Sequence, residues 1–471
     1  MLFNSIDFIY FLIPTFYFFW KIKSLKYQNI FLLITSYFFY SYWDWRFLFL
    51  LMFSTFLDYF SAIKIENTTN KKFWLILSIS VNLLFLGYFK YCNFFIDSFN
   101  QLTSKIGLNT SLQSLSIILP VGISFYTFHG LSYVIDVYKS KIKAERNLVD
   151  YSLFVCYFPL LVAGPIERTT HLLPQIKFKK SFDFSNSVYG LKQILWGCFK
   201  KVVIANQCAN VVDYIYAGNS NFHGLTLFFA AVLFSVQIYC DFSGYTDMAL
   251  GISRLFGMEL LQNFHFPYFS KNIKEFWSKW HISLSTWFRD YVYIPLGGNR
   301  VSKFQKFKNI MFTFLLSGFW HGANWTFIVW GGIHGIFSFF SFKYTIFNSK
   351  FINRFINVAN IIKTFIIVTI AWIFFRSSSI SEASVIIKSI VINSYSIRSY
   401  YEFLSIFQEN KQLCYYIIIF FIVEFFARKK IFGLQSVDFL PRSVRYFFYY
   451  FLVFLILIYS ADNKQFIYFQ F

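Results

Sequence analysis

The sequence predicts an all-α protein that crosses a membrane several times, and three observations lead to that class. Of the 471 residues, 57% are hydrophobic, 24% are aromatic and only 14% are charged, which excludes an ordinary soluble domain. Apolar segments follow one another from Phe8 to Tyr459, with polar joints too short to fold alone. The formal charge of +21 is spread over short basic clusters between these segments, the pattern of a protein facing anionic lipid and not nucleic acid. We therefore expect a single polytopic domain over residues 1–471, surrounded by membrane lipid.

The first elements and their orientation follow from these charges. Residues 8–20 lack a basic lead and a small-residue cleavage site, so we expect a retained first helix and not a signal peptide. Lys21, Lys23 and Lys26 follow directly and place its C-terminal end in the cytoplasm. The N-terminus is then expected outside, and alternation places the C-terminus outside as well. The next apolar runs are 30–43, 47–63, 73–91 and, after a polar external loop near 100–109, 112–137.

The centre of the chain is less regular. Residues 153–163 end at Gly164-Pro165, residues 188–205 are amphipathic, and residues 265–279 are aromatic and basic. Broken backbone survives at membrane depth only where protein or water covers it, so we expect re-entrant or interfacial helices lining a cavity here. The remaining predicted helices are 227–239, two within 310–342 broken around 318–324, 361–375, an amphipathic piece at 381–395, 413–427 and 446–459.

Three histidines lie in the aromatic and apolar stretch 277–335. Ionisable side chains at membrane depth are costly and are usually functional. His321 lies within an apolar run without a nearby carboxylate for a triad, but a buried neutral imidazole can accept a proton from a hydroxyl or a thiol. His281, on a separate element, either converges with His321 on one tunnel or is a packed histidine at an interface. His334, beside several glycines, is closer to a helix-packing residue.

Other ionisable residues leave several interpretations open. Arg289 and Asp290 are most simply a local ion pair, with substrate contact as the alternative. Asp241 and Asp247 closely follow the apolar helix 227–239, and proton handling, substrate contact and polar packing all remain open for them. The six cysteines show no CxxC spacing, so neither a disulfide framework nor a metal site is expected.

Several motifs in residues 119–335 resemble the membrane-bound O-acyltransferase (MBOAT) family, in particular its bacterial alginate and peptidoglycan O-acetyltransferase branch, which is related to the teichoic acid D-alanyl transfer protein. The motifs are LPVGISFYTF from Leu119, AGPIER from Ala163, QIYCDFSGYTDMA from Gln237, NFHFPY from Asn263, FWSKWHISLSTWFRDYVYIPLGGNR from Phe276 and WHGANWTFIVWG from Trp320. They occur in a consistent order and mark residues 119–335 as the catalytic core.

The resemblance implies a fold and a set of site residues. The fold is a ring of roughly 11 transmembrane helices with re-entrant and interfacial helices around a central tunnel. His321 stands at the position of the central catalytic residue. His281 matches a second site that some relatives fill with Asn or Asp, which favours an orienting role. The other candidates for the tunnel are Trp280, Arg289, Asp290, Trp320, Asn324 and Asp241.

The resemblance also implies a reaction. Acetyl-coenzyme A in the cytoplasm is the expected acyl donor, and no permanently bound cofactor is expected. The acetyl group is expected to cross the bacterial inner membrane to an extracytoplasmic partner, an SGNH or serine hydrolase-like acetyltransferase, which O-acetylates peptidoglycan or an alginate-like polysaccharide. The alternatives are D-alanyl transfer for teichoic acid and a non-enzymatic transporter or flippase of acyl carriers, with the histidines as proton relays.

The last residues carry a second resemblance. Residues 460–471 consist of a polar spacer followed by QFIYFQF. This ending resembles the C-terminal aromatic tail of related transfer systems, in which a tyrosine hydroxyl carries the acyl group for a time. Tyr468 is therefore the predicted covalent carrier in an extracytoplasmic tail, and the alternative is that the aromatic residues anchor the chain at the membrane interface.

Overall fold

The computed structural model describes residues 1–108, 111–161, 164–340, 350–461 and 464–467, and in these residues the chain forms helices and no β-strand. The N-terminal helices are α1 (Ile6–Lys21), α2 (Leu25–Ser41), α3 (Arg46–Asn67), α4 (Lys71–Leu86), α5 (Cys92–Lys105), α6 (Ile123–Tyr138), α7 (Leu148–Cys156), α8 (Phe158–Leu161) and α9 (Thr169–Lys177). The central helices are α10 (Phe184–Cys198), α11 (Asn206–Ala217), α12 (Gly224–Leu255), α13 (Ile273–Trp277) and α14 (Ile282–Phe288). The C-terminal helices are α15 (Lys303–His321), α16 (Trp325–Phe339), α17 (Lys350–Arg376), α18 (Ile380–Asn393), α19 (Ile397–Glu409), α20 (Lys411–Ala427) and α21 (Arg442–Tyr459).

Two compact units make up the chain. The first contains Met1–Leu191 and Ala249–Leu261, and the second contains Lys192–Met248 and Gln262–Phe471. All the predicted site residues in the described part of the chain belong to the second unit.

Long apolar helices confirm the prediction of a multi-pass helical membrane protein. In the described part of the chain, five helical stretches are long and apolar enough to cross a membrane, or six if the bent pair α19 and α20 forms one span. The five are α3, Lys71–Lys105, α12, Phe351–Arg376 and α21. Other apolar helices are shorter than the about 20 residues that an upright span requires, such as α1 with 16 residues and α16 with 15.

The prediction of one apolar helical segment over residues 112–137 is wrong for the first part of that range. Residues 111–120 form no helix, and α6 begins only at Ile123. Two asparagines of α5, which extends to Lys105 into the predicted loop, hold this segment by its backbone. The side chain of Asn93 both donates to and accepts from the backbone of Leu115, each at 2.8 Å. Asn100 does the same for Leu112, at 2.9 and 3.0 Å. The apolar side chains are therefore carried by non-helical backbone, whose main-chain groups at Leu112 and Leu115 are paired with the two amides.

Helix α12 corrects a second expectation. It has 32 residues and continues past Tyr239 to Leu255, so Asp241 and Asp247 lie within the helix and not after it. These carboxylates are tolerated within the helix because each contacts a lysine of the π-helical segment Phe199–Ala205. Lys201 lies 2.8 Å from Asp241, and Lys200 lies 2.6 Å from Asp247. Buried charges of this kind are tolerated when they are paired and hydrogen-bonded.

The AGPIER motif ties the first unit together. The buried Glu167 carboxylate accepts the backbone N–H of Leu261 at 2.6 Å and contacts Nδ1 of His171 at 2.8 Å. Its own backbone N–H donates to Nε2 of His129 at 3.0 Å. The hydrogen bond with Glu167 raises the pKa of His171 above its usual value. The motif is therefore a structural element of that unit.

Helices α15 and α16 pack closely because two glycines face each other at their crossing. A methyl group on Gly331 would overlap the carbonyl oxygen of Phe314, and one on Gly318 would overlap that of Phe327. Small residues at such crossings let helix backbones approach one another. The close packing fixes the C-terminal end of α15, where His321 lies.

We predict that Gly331→Ala separates the two helices and destabilises the protein. Overpacking costs about 1–3 kcal/mol, which outweighs the gain in helix propensity of about 1 kcal/mol. Gly332→Ala is the matched control, because its methyl group would meet only a side-chain atom of Leu315 at 3.6 Å. Thermal unfolding in detergent should show a lower Tm for Gly331→Ala alone. Equal Tm values for the two variants would contradict the proposed contact.

Candidate active site

His321 is placed by the break between α15 and α16. It is the last residue of α15 and is buried, and α16 starts four residues later at Trp325. Asn324 caps α16, since its side chain accepts the backbone N–H of Thr326 at 3.0 Å and donates to the carbonyl oxygen of Ser378 at 2.8 Å. The break occupies residues 322–324, which is shorter than the predicted 318–324. Its position places the imidazole at a helix end and not in the middle of a helix.

His281 is held in an unusual backbone conformation. Its φ of 43° lies in the left-handed region, which only a few per cent of residues other than Gly adopt. Asn263 stabilises this conformation through contacts with His281 and with the two residues that follow it. The main-chain carbonyl oxygen of Asn263 accepts the N–H of Ile282 at 2.9 Å. The side-chain oxygen of Asn263 lies 3.3 Å from Nδ1 of His281 and accepts the hydroxyl hydrogen of Ser283 at 2.5 Å.

Asn263 is a site residue that sequence reasoning missed. It lies 18 residues before His281 in the chain, in the NFHFPY motif, and no periodicity links the two positions. In the sequence, the NFHFPY motif supports the family resemblance but assigns no role to the side-chain amide of Asn263. The structure shows that this amide orients the imidazole ring and supports the strained turn that carries it.

The two imidazoles lie close together inside the second unit. Their ring centroids are 6.4 Å apart, and both side chains are buried. The ring of Trp330 packs edge-on against His321 at 5.0 Å, and that of Phe375 does so at 5.6 Å. Phe242 packs edge-on against His281 at 4.7 Å. Aromatic rings therefore surround the pair, and in such an apolar setting an imidazole can act as a proton acceptor.

His334 and Trp280 lie in the aromatic packing behind this pair. Both side chains are completely buried. Nδ1 of His334 accepts the indole N–H of Trp277 at 3.2 Å. The ring of Trp280 stacks on Phe276 at 5.4 Å and lies 5.1 Å from that of Trp372. These contacts fill the space beside His321 and give both residues a packing role in the structure.

The larger of two cavities near the histidines has a volume of about 660 Å³. Its walls include Asn324 and also Phe375, which touches His321. Its polar walls include Asp213 and Arg376, which are 2.9 Å apart. Polar side chains therefore line this cavity close to the His321 end of α15.

The smaller cavity, of about 370 Å³, approaches His321 along α15. Its lining extends from Lys306 to Ser317, a distance of about 16 Å along the helix axis. Ser317 lies one turn before His321. Lys274 and Arg289 also line this cavity, and among the described residues that form its walls none is acidic. The cavity is therefore lined by basic residues, of which Lys306 lies at the end distant from His321.

The other predicted site residues are distributed differently. Arg289 and Asp290 form the expected ion pair at 2.8 Å, and only Arg289 lines the smaller cavity. Asp241 is bound to Lys201 and to the backbone near the C-terminus. Trp320 is half-buried on α15. Tyr468 lies outside the described residues.

Comparison with known proteins places the chain in one family. The profile of the MBOAT, membrane-bound O-acyltransferase family matches residues 139–380. The chain is 40% identical to the probable alginate O-acetylase AlgI of Pseudomonas aeruginosa over 390 residues, covering 81% of this chain and 73% of that protein. It is 35% identical to the peptidoglycan O-acetyltransferase of Helicobacter pylori over 425 residues, covering 83% and 80%.

A more distant relative is the teichoic acid D-alanyltransferase of Bacillus subtilis, which is 30% identical over 228 residues, covering 46% of this chain and 57% of that protein. The family match includes both His281 and His321 and the helices that carry them. The chain belongs to the membrane-bound O-acyltransferase family, and it is an O-acyltransferase with several membrane-crossing helices.

Proposed function

We propose that this enzyme moves an acetyl group from cytoplasmic acetyl-coenzyme A across the bacterial inner membrane, for O-acetylation of a cell-envelope polysaccharide. The observation that carries the proposal is the buried pair of His281 and His321, whose rings lie 6.4 Å apart near two cavities. The acceptor class follows the names of the relatives, an alginate O-acetylase and a peptidoglycan O-acetyltransferase, which match over four fifths of the chain.

In the proposed reaction, His321 acts as general base. It takes the proton of the Tyr468 hydroxyl as the phenol oxygen attacks the carbonyl carbon of the thioester. The C–S bond breaks, coenzyme A leaves as the thiolate and is protonated by the imidazolium, and Tyr468 is left as an acetyl ester. A hydroxyl of the partner then attacks this ester and restores the tyrosine, so one transfer across the membrane is divided into two shorter steps.

His281 is proposed to assist and not to abstract the proton. Its Nδ1 faces the Asn263 side chain at 3.3 Å, which fixes the orientation of the ring. A ring held in this way can polarise the carbonyl group or stabilise charge on the tetrahedral intermediate. This role agrees with the finding that His321, and not His281, touches a residue lining the larger cavity.

The smaller cavity is the proposed donor site. Lys274, Arg289 and Lys306 supply positive charge in its lining, which suits the phosphates of coenzyme A, and Lys306 does so at the end distant from His321. Because α15 begins with Lys303, Lys306 and Lys308, the positive-inside rule assigns this end to the cytoplasm. The thioester would then reach toward His321, one turn beyond the cavity wall at Ser317. On this orientation the C-terminal tail and the partner acetyltransferase are on the outer face.

Two alternatives receive less support. The match to the D-alanyltransferase covers less than half of this chain and is weaker in identity than that to the O-acetylases. A transporter or flippase disagrees with membership of an acyltransferase family. Release of free coenzyme A from acetyl-coenzyme A by the purified protein distinguishes acetyl transfer from both alternatives, since D-alanyl transfer uses a different donor and a transporter releases no thiol.

We predict that His321→Ala abolishes coenzyme A release and polysaccharide acetylation. Loss of a general base lowers the rate by about 100- to 10,000-fold. The protein should accumulate normally, because the substitution lies at a helix end. His265→Ala is the matched control, since His265 is only half-buried and lies outside both cavities. A well-folded His321→Ala variant with full activity would disprove the mechanism.

For the donor site, Lys306→Ala should raise the KM for acetyl-coenzyme A by about tenfold, as expected for loss of one charge-assisted contact to a phosphate. The kcat should change little, because the lysine is distant from the reacting atoms. Lys303→Ala, which removes an exposed lysine from the same helix outside the cavity, serves as control. Initial-rate kinetics on reconstituted protein give both constants. Equal KM values for the two variants would place the donor elsewhere.

Replacing Tyr468 with Phe removes a single hydroxyl and should stop acetyl transfer to the partner. Intact-mass analysis of the wild-type protein incubated with acetyl-coenzyme A should show one added acetyl group, which the variant lacks. Tyr450→Phe, on the exposed face of α21, is the control and should behave as wild type. Unchanged acetylation by Tyr468→Phe would exclude the covalent relay and leave the role of His321 intact.

A further inference from the structure

Residues 464–467, the C-terminal segment, are bound to the second unit by specific contacts. Lys464 reaches Asp213 at 3.3 Å, and the side chains of Phe466 and Ile467 are almost completely buried. The ring of Phe466 lies 4.5 Å from Tyr245 and 6.0 Å from Phe242. The segment therefore occupies a defined binding site on α12.

The Lys201–Asp241 ion pair recognises the backbone of this segment. The ammonium group of Lys201 lies 3.4 Å from the carbonyl oxygen of Gln465, to which it donates. The carboxylate of Asp241 accepts the N–H of Ile467 at 2.9 Å. Together the two groups contact one acceptor and one donor of the segment, two residues apart. Their contacts go to main-chain groups, so they fix its position without reading its side chains.

Burial of this ion pair costs free energy, so its presence calls for a reason other than stability. The Lys201 and Asp241 side chains are 1% and 3% exposed. A methyl group on Gly197 would lie 2.5 Å from the carbonyl oxygen of Gly244, so the two backbones that carry the pair are in close approach. Buried ion pairs add little net stability compared with apolar replacements. Holding residues 464–467 in place would supply such a reason.

The anchored segment lies beside the histidine pair. Phe242 follows Asp241 in α12, and its ring touches both Phe466 and His281. The backbone that the ion pair holds is thus one aromatic ring away from the imidazole of His281. Tyr468 is the next residue in the chain after Ile467.

We propose that Lys201 and Asp241 are positioning residues that anchor the C-terminal segment through its backbone and so present Tyr468 to the acyl donor. The anchoring stands on the contacts of residues 464–467 alone, and only the presentation of Tyr468 rests on the function proposed above. The pair replaces two of the hydrogen bonds that the main chain of this segment would otherwise form with water.

A neighbouring ion pair provides a matched control. Lys200 and Asp247 also join the π-helical segment to α12, at 2.6 Å, and are also largely buried. Their further hydrogen bonds go to Ser243 and Gln193 and not to the C-terminal segment. Removal of either pair therefore perturbs the same packing, but only removal of Lys201 and Asp241 should release the segment.

The experiment compares two double variants of the full-length protein in detergent, Lys201→Met with Asp241→Leu and Lys200→Met with Asp247→Leu. Replacing both partners avoids leaving a buried charge without its counterion. Hydrogen exchange followed by mass spectrometry reads the amide of Ile467, and carboxypeptidase trimming followed by intact mass reads access to the chain end. A third variant, Asp241→Asn, keeps an oxygen that can accept the Ile467 N–H.

Loss of the Lys201–Asp241 pair should accelerate exchange at Ile467 by about tenfold or more, the factor expected for a lost hydrogen bond to a charged group. Trimming should then proceed past residue 468, and acetylation of Tyr468 should fall by a similar factor. Asp241→Asn should restore part of the protection, and the Lys200–Asp247 variant should match the wild type in exchange and trimming.

Equal protection of Ile467 in the two double variants would overturn the anchoring. If the Lys201–Asp241 variant does not fold, Asp241→Ala, which removes the acceptor of the Ile467 N–H, decides instead, and exchange at Ile467 equal to wild type in that variant would overturn the anchoring. Lost protection together with no acetylation of Tyr468 even in the wild type would leave the anchor in place and refute the covalent relay. Lost protection with full acetylation would refute the positioning role.

Discussion

The need to satisfy polar groups in an apolar surrounding is the constraint on which the second unit of this protein depends. Helix α12 carries two carboxylates along a mostly buried surface, and each carboxylate meets a lysine of one π-helical segment. Without those lysines the helix could not stay buried at this position. Its burial in turn places Phe242 against His281, so the electrostatics of α12 and the geometry of the histidines form one arrangement.

Glycine contacts and amide hydrogen bonds complete this arrangement at the histidines themselves. The close crossing of α15 and α16 fixes the helix end at His321. Asn263 fixes the turn at His281 by hydrogen bonds to its two successors. Neither the glycine contacts nor the hydrogen bonds of Asn263 described here are made by the imidazole of His321 itself. The two histidines are thus oriented by backbone packing on one side and by the main-chain carbonyl and side-chain amide of Asn263 on the other, which is how precise geometry is kept on short, broken helices.

The sequence predicted the features that depend on local composition and missed those that depend on distant partners. The break after His321 is readable, because Gly322 and the capping residue Asn324 are neighbours in the chain. The length of α12 is not, because Asp241 looks like a helix end until Lys201, forty residues earlier, is known to neutralise it. Likewise, nothing local connects Asn263 with His281, and the extended stretch before α6 resembles an apolar helix until the asparagines of α5 are seen to hold it.

The location of His321 at the end of α15 has an electrostatic consequence. The carbonyl groups of the last helical turn have no partners further along the helix, and they give that end a partial negative charge. An imidazolium that forms there is stabilised by about 0.3–1 kcal/mol at exposed helix ends, and by up to about 2 kcal/mol where the end is partly buried. In the proposed reaction, the two forms of the imidazole would therefore be favoured by different parts of the same helix terminus: the aromatic rings would favour the neutral ring, and the backbone dipole would favour the imidazolium that forms.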